Sequence, residues 1–470
     1  MKHHYKYLLK NIGLLTLSSF ATKLLSFFLV PLYTNILTTT EYGTYDLFNT
    51  TIGVLIPILT LNIQESVLRF ALDREYDRKA IVSIATFFLL VSSGIVAVGI
   101  GILGVFGIGN FGKNELLYFF LMYFSQALSG IVLAYIRGID RIADLSVSSV
   151  ICSIITIGCN LIFLLIFKWG LKGYFLANII GPFVQAIYLG ARAGVQKELD
   201  SHKKYRVEKK EMLAYCEPLI ANSIAWWVNN ASDRYVVIFF CGLAENGIYS
   251  VASKIPSILN VFQSIFNQAW TLSAVRDFDS EDKDGFFSKT YSMYNCMMTI
   301  LCSMVIVADK VLARFLYAKD FYVAWRFVPW LTIAIVFGAL SGVIGGVFSA
   351  VKNSKIFAQS TIVGAVSNVL LNIILTPLID ALGAAIATTV CYIVVWGMRM
   401  LHSKKYIRLR INFARDIVSY FILVVQAIVL LLIEKNTVLY SVEIVLFVLV
   451  FILYVKEFSG IFKNIKGKRA

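Results

Sequence analysis

A chain of 470 residues that is 58% hydrophobic and only 15% charged, with mean hydropathy +0.75, has more apolar surface than one soluble core can bury. The balance excludes an ordinary soluble domain and points to a bilayer. A formal charge of +15 invites a nucleic-acid reading, but with the N-terminus inside most Lys and Arg fall in tails and cytoplasmic loops. The positive-inside rule accounts for them, and no nucleic-acid partner is expected.

Apolar runs of about 20 residues, enough to cross roughly 30 Å of hydrocarbon as helices, recur along the whole length. Fourteen are expected, near 11–37, 43–67, 81–108, 115–136, 144–167, 171–191, 212–240, 246–272, 286–308, 327–350, 356–377, 382–400, 413–433 and 438–455. A barrel would instead need short alternating strands. The first run follows Lys2, Lys6 and Lys10 and is too long for a secretory signal, so it reads as a retained span. The fold class expected is therefore an all-α polytopic membrane protein. Both termini lie on the cytoplasmic side, because the number of spans is even.

The chain also repeats itself. Glu41-Tyr42-Gly43-Thr44-Tyr45 returns 204 residues later as Glu245-Asn246-Gly247-Ile248-Tyr249. Asn160 followed by Gly173-Tyr174-Phe175-Leu176-Ala177 is echoed by Asn372 followed by Gly383-Ala384-Ala385-Ile386-Ala387. Such self-similarity marks transporters built from internal repeats. The expected organisation is an N-lobe of six spans (1–192), a basic cytoplasmic linker (193–211), a C-lobe of six spans (212–402), and spans 13 and 14 with a basic tail (403–470). Six is even, so the two lobes form a parallel, pseudo-symmetric repeat with the substrate path expected between them.

Polar stripes at helical spacing mark the helices expected to line that path. Span 1 offers Thr16, Ser19, Lys23 and Ser26; span 2 offers Asp46, Asn49, Gly53, Pro57, Thr60 and Gln64. Span 7 offers Asn222, Trp226, Asn229 and Asp233, and span 8 offers Ser253, Ser257, Asn260, Ser264 and Asn267. Ser and Thr in such stripes are equally well read as helix-packing contacts. Charged groups are more telling, since placing one at mid-span costs about 2.5–3.5 kcal/mol. Lys23, Arg234 and Lys254 lie within spans, Arg69 stands at the inner end of span 2, and Asp233 is the one deep acid. Asp233 is expected to reach Lys254 or another helix, and Glu65 to pair with Arg69 one turn on. Three deep bases against one acid imply an anionic cargo, with phosphate or pyrophosphate the natural chemistry.

Cys152, Cys159, Cys216, Cys241, Cys296, Cys302 and Cys391 fall in or beside apolar runs without CxxC spacing, and read as packing residues. His3, His4, His202 and His402 lie in cytoplasmic segments. No metal or cofactor is expected, and no catalytic constellation supports an enzyme.

Thr22-Lys23-Leu24-Leu25-Ser26-Phe27 with Pro31, then Glu41 to Asp46, resembles the start of Wzx-type bacterial polysaccharide flippases. Ser232-Asp233-Arg234-Tyr235 with Gly247 to Pro256, and Lys319 to Trp325 leading to Pro329, are similar to later motifs of that family. The resemblance covers essentially the whole chain. It implies the two-lobed fold shared with multidrug and toxin extrusion transporters and lipid II flippases. It also implies an undecaprenyl-diphosphate-linked oligosaccharide as cargo, flipped across the cytoplasmic membrane by alternating access for O-antigen, capsule or exopolysaccharide assembly. An H+ or Na+ gradient is the candidate driving force, and membrane lipid and a polysaccharide polymerase are candidate partners. Under that resemblance Lys23, Arg234 and Lys254 attract the diphosphate, Arg69 serves the inner mouth, and the Asn and Trp positions of span 7, Asn229 among them, touch sugars. A lipid II-type flippase and a multidrug or cation antiporter of the same fold are the rival readings.

Overall fold

The computed structural model describes residues 27–73, 75–107, 111–200, 205–351 and 353–457, except for the side chains of residues 218, 221, 222, 225, 226, 229, 230, 268, 269, 271, 272 and 354. It is all-helical, as the composition requires. In chain order the helices are α1 (Val30–Ile36), α2 (Thr39–Leu59), α3 (Ile63–Ala71), α4 (Arg78–Phe106), α5 (Lys113–Gly138), α6 (Ile142–Leu161), α7 (Gly170–Ala193), α8 (Arg206–Ala252), α9 (Lys254–Arg276), α10 (Phe286–Leu316), α11 (Val328–Ala350), α12 (Ser354–Ser403), α13 (Phe413–Leu432) and α14 (Asn436–Leu453).

The expected runs from the second onward fall on these helices, although the second crosses from α2 into α3 and the eighth from α8 into α9. Among the described residues ten helices are long and apolar enough to cross a membrane, or eleven if the bent pair α2 and α3 forms one span. The count of fourteen is not confirmed. It turns partly on α12, whose 50 residues would measure about 75 Å if straight, more than two bilayer crossings. The first run lies largely outside the described residues.

The breaks in the helices have local causes. Between α2 and α3 the chain bends by 60°, where Pro57 leads into Leu61 and Asn62, both left-handed at φ 52° and 57°. Asn tolerates that conformation best among residues with a side chain. The amide N–H of Asn62 donates to the carbonyl of Pro57 at 2.7 Å. In α8 the break falls at Gly242, whose φ of 88° suits glycine alone. In α12 it follows Pro377, at Ile379 and Asp380.

The chain divides into two compact units: Thr44–Ala231 with the described residues up to Leu29, and Val30–Gly43 with Ser232 onward. In the first, Phe48, Phe88, Tyr123, Ile136, Phe175 and Leu189 belong to a continuous buried cluster drawn from α2, α4, α5 and α7. In the second, α11 is the central helix, with 89% of its most apolar stretch buried. Its glycines admit large neighbours: Gly346 lies under the Trp270 indole, whose Nε1 donates to the carbonyl of Val343 at 2.8 Å. The second unit also joins the two copies of the sequence repeat. A Cβ on Gly43 would stand 1.9 Å from the carbonyl oxygen of Leu243, and one on Gly247 2.0 Å from that of Thr39. The other echoed pair behaves alike: Asn160 and Asn372 are both fully buried, and each donates its amide one turn back, to the carbonyls of Thr156 and Asn368.

Candidate functional site

In the first unit the α2–α3 bend opens a cleft of about 560 Å³ lined by Gly53, Ile56, Pro57, Asn62, Gln64, Gln126, Gly130, Ser223, Trp227 and Ala231. Its polar groups are held in place by their neighbours. Asn62 Nδ2 donates to Ser223 Oγ at 3.1 Å, Gln126 Nε2 to Asn49 Oδ1 at 3.2 Å, and Trp227 Nε1 to the carbonyl of Thr50 at 3.2 Å. Gly130 leaves room for the Gln64 amide, which would stand 2.6 Å from a Cβ there. Among the described residues that line it, none is charged. Amides, a hydroxyl and an indole in one concavity suit a neutral, hydroxylated ligand better than an ion.

Charge gathers instead in another groove of that unit, of about 600 Å³, lined by Arg206, Lys209, Lys210 and Glu217 together with Leu61, Leu213 and Cys216. Arg69, at the end of α3, is largely exposed and pairs with Asp73 at 3.8 Å. Asp73, one turn on, therefore replaces Glu65 as its partner.

In the second unit Asp233 is buried, and its carboxylate is engaged on both oxygens. Tyr249 Oη donates to Oδ2 at 2.7 Å, and the Arg234 backbone N–H donates to Oδ1 at 2.9 Å. Tyr249 takes the place expected for Lys254. Cys391 and Tyr392 of α12 lie within electrostatic reach of the same carboxylate. Arg234 and Lys254 are half-buried. Among the described residues Lys254 has no side-chain partner.

Of the six candidate residues, the structure thus brings Asp233 and Arg234 together and puts Arg69 at the end of α3. Lys23 lies outside the described residues, and the Asn229 side chain is also outside them. The span 2 stripe divides by function: Gly53, Pro57 and Gln64 line the cleft and Asn49 braces it, whereas Thr60 Oγ1 donates to its own helix at the carbonyl of Ile56. The span 8 serines spend their hydroxyls the same way, Ser253, Ser257 and Ser264 each bonding a carbonyl three residues back. That is the helix-packing reading.

Sequence reasoning missed Gln126, Gly130, Ser223 and Trp227. Gln126 was detectable as a lone amide in the fourth apolar run; the others acquire meaning only from where the helices cross. It also missed Arg399, which is buried without a carboxylate. Its guanidinium donates to Ser360 Oγ, the carbonyl of Ser341 and Thr361 Oγ1 at 2.9–3.0 Å, and stacks 4.0 Å from the Phe357 ring centroid. Such full engagement makes it a structural arginine.

With this geometry in hand, the fold can be compared with solved structures. It is similar to lipid II flippase MurJ in an inward closed conformation, at TM-score 0.66 and 15% identity, covering 96% of this chain and 98% of that one. It is similar also to an inward-facing multidrug resistance MATE family transporter of the MOP superfamily, at TM-score 0.61 and 13% identity over 83% and 95% of the two chains. A MOP superfamily transporter from Pyrococcus furiosus, described as having a binding pocket of reverse polarity, gives TM-score 0.56 and 14% identity over 84% and 96%. The fold is therefore that of polytopic membrane transporters of this superfamily, and the protein is a multi-pass membrane protein. None of the curated proteins matches its sequence significantly. Residues 8–272, more than half of the chain, match the family described as polysaccharide biosynthesis protein, and the chain belongs to that family.

Proposed function

We propose that the protein is a flippase that carries an undecaprenyl-diphosphate-linked oligosaccharide repeat unit across the bacterial cytoplasmic membrane for surface polysaccharide assembly. Membership of the polysaccharide biosynthesis family carries this reading. The uncharged amide, hydroxyl and indole lining of the first unit supports it, because sugars are bound through such groups. In this reading Gln64, Gln126, Ser223 and Trp227 contact the oligosaccharide, with Asn229 on the same helix, α8. Lys23, Arg234 and Lys254 attract the diphosphate, and Arg69 with the basic groove of Arg206, Lys209 and Lys210 draws the anionic headgroup to the inner mouth. Asp233 holds Tyr249 and fixes the start of the Arg234 segment.

The two six-span lobes, 1–192 and 212–402, then alternate access about the linker 193–211, with 403–470 beside them. Both termini are cytoplasmic, an H+ or Na+ gradient drives the cycle, and a polymerase takes up the product. The residues act by binding and not by catalysis. The test is genetic and chemical: cells lacking the protein should lose surface polysaccharide while lipid-linked repeat units accumulate inside. Arg234→Ala, Lys254→Ala or Trp227→Ala at normal protein levels should fail to restore it. Normal polysaccharide with altered drug sensitivity would move the chain to the multidrug branch, and arrested peptidoglycan synthesis would move it to the lipid II branch.

A further inference from the structure

Three helices of the second unit, α10, α13 and α14, pack against one another and enclose two carboxylates. Asp309 of α10 has no exposed surface, and neither of its oxygens has a hydrogen-bond partner. Glu443 of α14 is equally buried; its Oε2 accepts from Gln426 Nε2 at 3.0 Å, and its Oε1 has no partner. Gln426 of α13 is itself held by Ser303 Oγ, which donates to its Oε1 at 2.8 Å. A relay Ser303, Gln426, Glu443 therefore joins the three helices, and Asp309 lies within electrostatic reach of its acidic end.

The surrounding charges do not neutralise the pair. Lys310, next to Asp309 and in reach of Glu443 and Glu434, is the near cation, and its Nζ sits 4.4 Å from the Trp325 ring centroid. Arg314 of α10 and Tyr440 of α14 form an outer ring with Tyr322 of the 3-10 helix Lys319–Arg326, and Tyr317 follows α10 directly. The packed helix α11 has no titratable residue in its sequence. Arg415, Asp416 and Tyr420 of α13 belong to a separate network at its other end, α1 carries Tyr33, and α9 carries Lys254 and Arg276 at its two ends. Two ionised carboxylates against one lysine would leave a net negative charge sealed among apolar neighbours, Ile306 and Ala313 one turn away on α10 and Leu439 on α14, all buried. An uncompensated buried anion is the arrangement proteins avoid, taking up a proton instead.

We propose that Asp309 and Glu443 form a proton-binding site that holds one proton between them and passes it on during transport. The coupling part of this proposal rests on the transporter reading above; the proton-binding part does not. The bound species is a proton and not a metal ion, because two carboxylates and one amide do not fill the oxygen shell of a hard cation. Among the described residues no group of three acidic, His or Cys side chains is placed to hold a metal ion. With the proton in place the buried pair carries one negative charge instead of two, and the Ser303–Gln426–Glu443 relay holds α10, α13 and α14 together. When the proton leaves, like charges face each other across those helices and α14 loosens. Asp309 stands seven residues from the end of α10 and Glu443 seven from the start of α14, about 10 Å by helical rise. The proton therefore enters from the end where Ile433 to Lys435 join α13 to α14.

Infrared difference spectroscopy of the full-length protein in lipid tests this directly. A titrating carboxylic-acid carbonyl band, amounting to one proton per chain, should be present in the native protein and unaffected by Na+ or K+ at constant pH. It should be absent from the near-isosteric Asp309→Asn/Glu443→Gln protein. An unchanged band in that variant, or a band that Na+ or K+ abolishes, would overturn the site. For the coupling, a pH gradient across liposomes loaded with a pH-sensitive dye should drive proton uptake at least tenfold slower in the double variant. Equal uptake would overturn the coupling. Failure of the native protein to restore surface polysaccharide, with the band behaving as expected, would refute the transporter reading and leave the site standing.

Discussion

The two ends of the α10, α13 and α14 packet treat buried charge in opposite ways. At the end where α10 begins, Arg415 donates to Asp416 Oδ1 at 2.8 Å, pairs with Glu457, and stacks 4.5 Å from the ring centroid of Tyr454. Tyr454 Oη donates to the same Asp416 oxygen at 3.1 Å and accepts from Asn295 Nδ2 at 3.0 Å, while Tyr420 Oη donates to Asn295 Oδ1 at 3.0 Å. At the far end Asp309 and Glu443 have no arginine. The same three helices thus bury one acidic cluster bonded to an arginine and another that has only Lys310 within electrostatic reach. A paired cluster locks a packing arrangement, whereas an unpaired one responds to what it binds.

Breaking the paired end should cost most. Arg415→Ala leaves the buried Asp416 and the half-buried Glu457 without their cation and should destabilise the protein by about 3–5 kcal/mol, read as a lower midpoint of thermal unfolding in detergent. The unpaired end should respond with the opposite sign. Asp309→Asn replaces a buried carboxyl that has no hydrogen-bond partner by a neutral isostere and should be neutral or stabilising by roughly 1–3 kcal/mol in the same measurement. A large loss there would mean that Asp309 is held by a close counter-charge.

Smaller changes sharpen the contrast. Asp282, buried before α10, accepts from the backbone N–H groups of Phe287 and Ser288 at 3.0 Å each, so Asp282→Ala should cost about 1–2 kcal/mol and increase hydrogen exchange at the start of α10. Tyr454→Phe removes one hydroxyl from the paired network and should cost about 1 kcal/mol. The least effect is expected in the exposed turn before α10, where the backbone amides of Lys283 and Glu281 hold the Asp279 carboxyl below its ordinary value. A depressed folded value means the turn is favoured above the unfolded pKa, about 3.9, and loses that support as pH falls through the folded one. Exchange at the Lys283 amide should therefore rise, relative to intrinsic rates, only in that acidic window.

The sequence made the spans legible because crossing a bilayer demands long apolar runs, and it made the duplication legible because two copies keep the same small residues. Gly43 and Gly247 were visible as an echo, although their mutual close approach was not. The charged candidates were visible from sign and position along the spans. Their partners were not: Asp233 answers to Tyr249, sixteen residues on, and Arg69 to Asp73. In spans 13 and 14 Gln426 and Glu443 are isolated polar residues in long apolar runs. Burial turned them into a relay.

Composition, periodicity and repetition are local or additive properties, so the sequence by itself determined the membrane class, the helical fold and the family. Which polar groups share a cavity, and which buried charges find a counter-charge, depends on how helices distant in the chain cross. The Asn62 bend opens the first-unit cleft, and the packing of α10 on α13 and α14 pairs Asp416 with Arg415 while leaving Asp309 without a hydrogen-bond partner. Only the tertiary structure decided those outcomes, because electrostatic and hydrogen-bond energies depend on separations of a few ångströms that no spacing along the chain specifies.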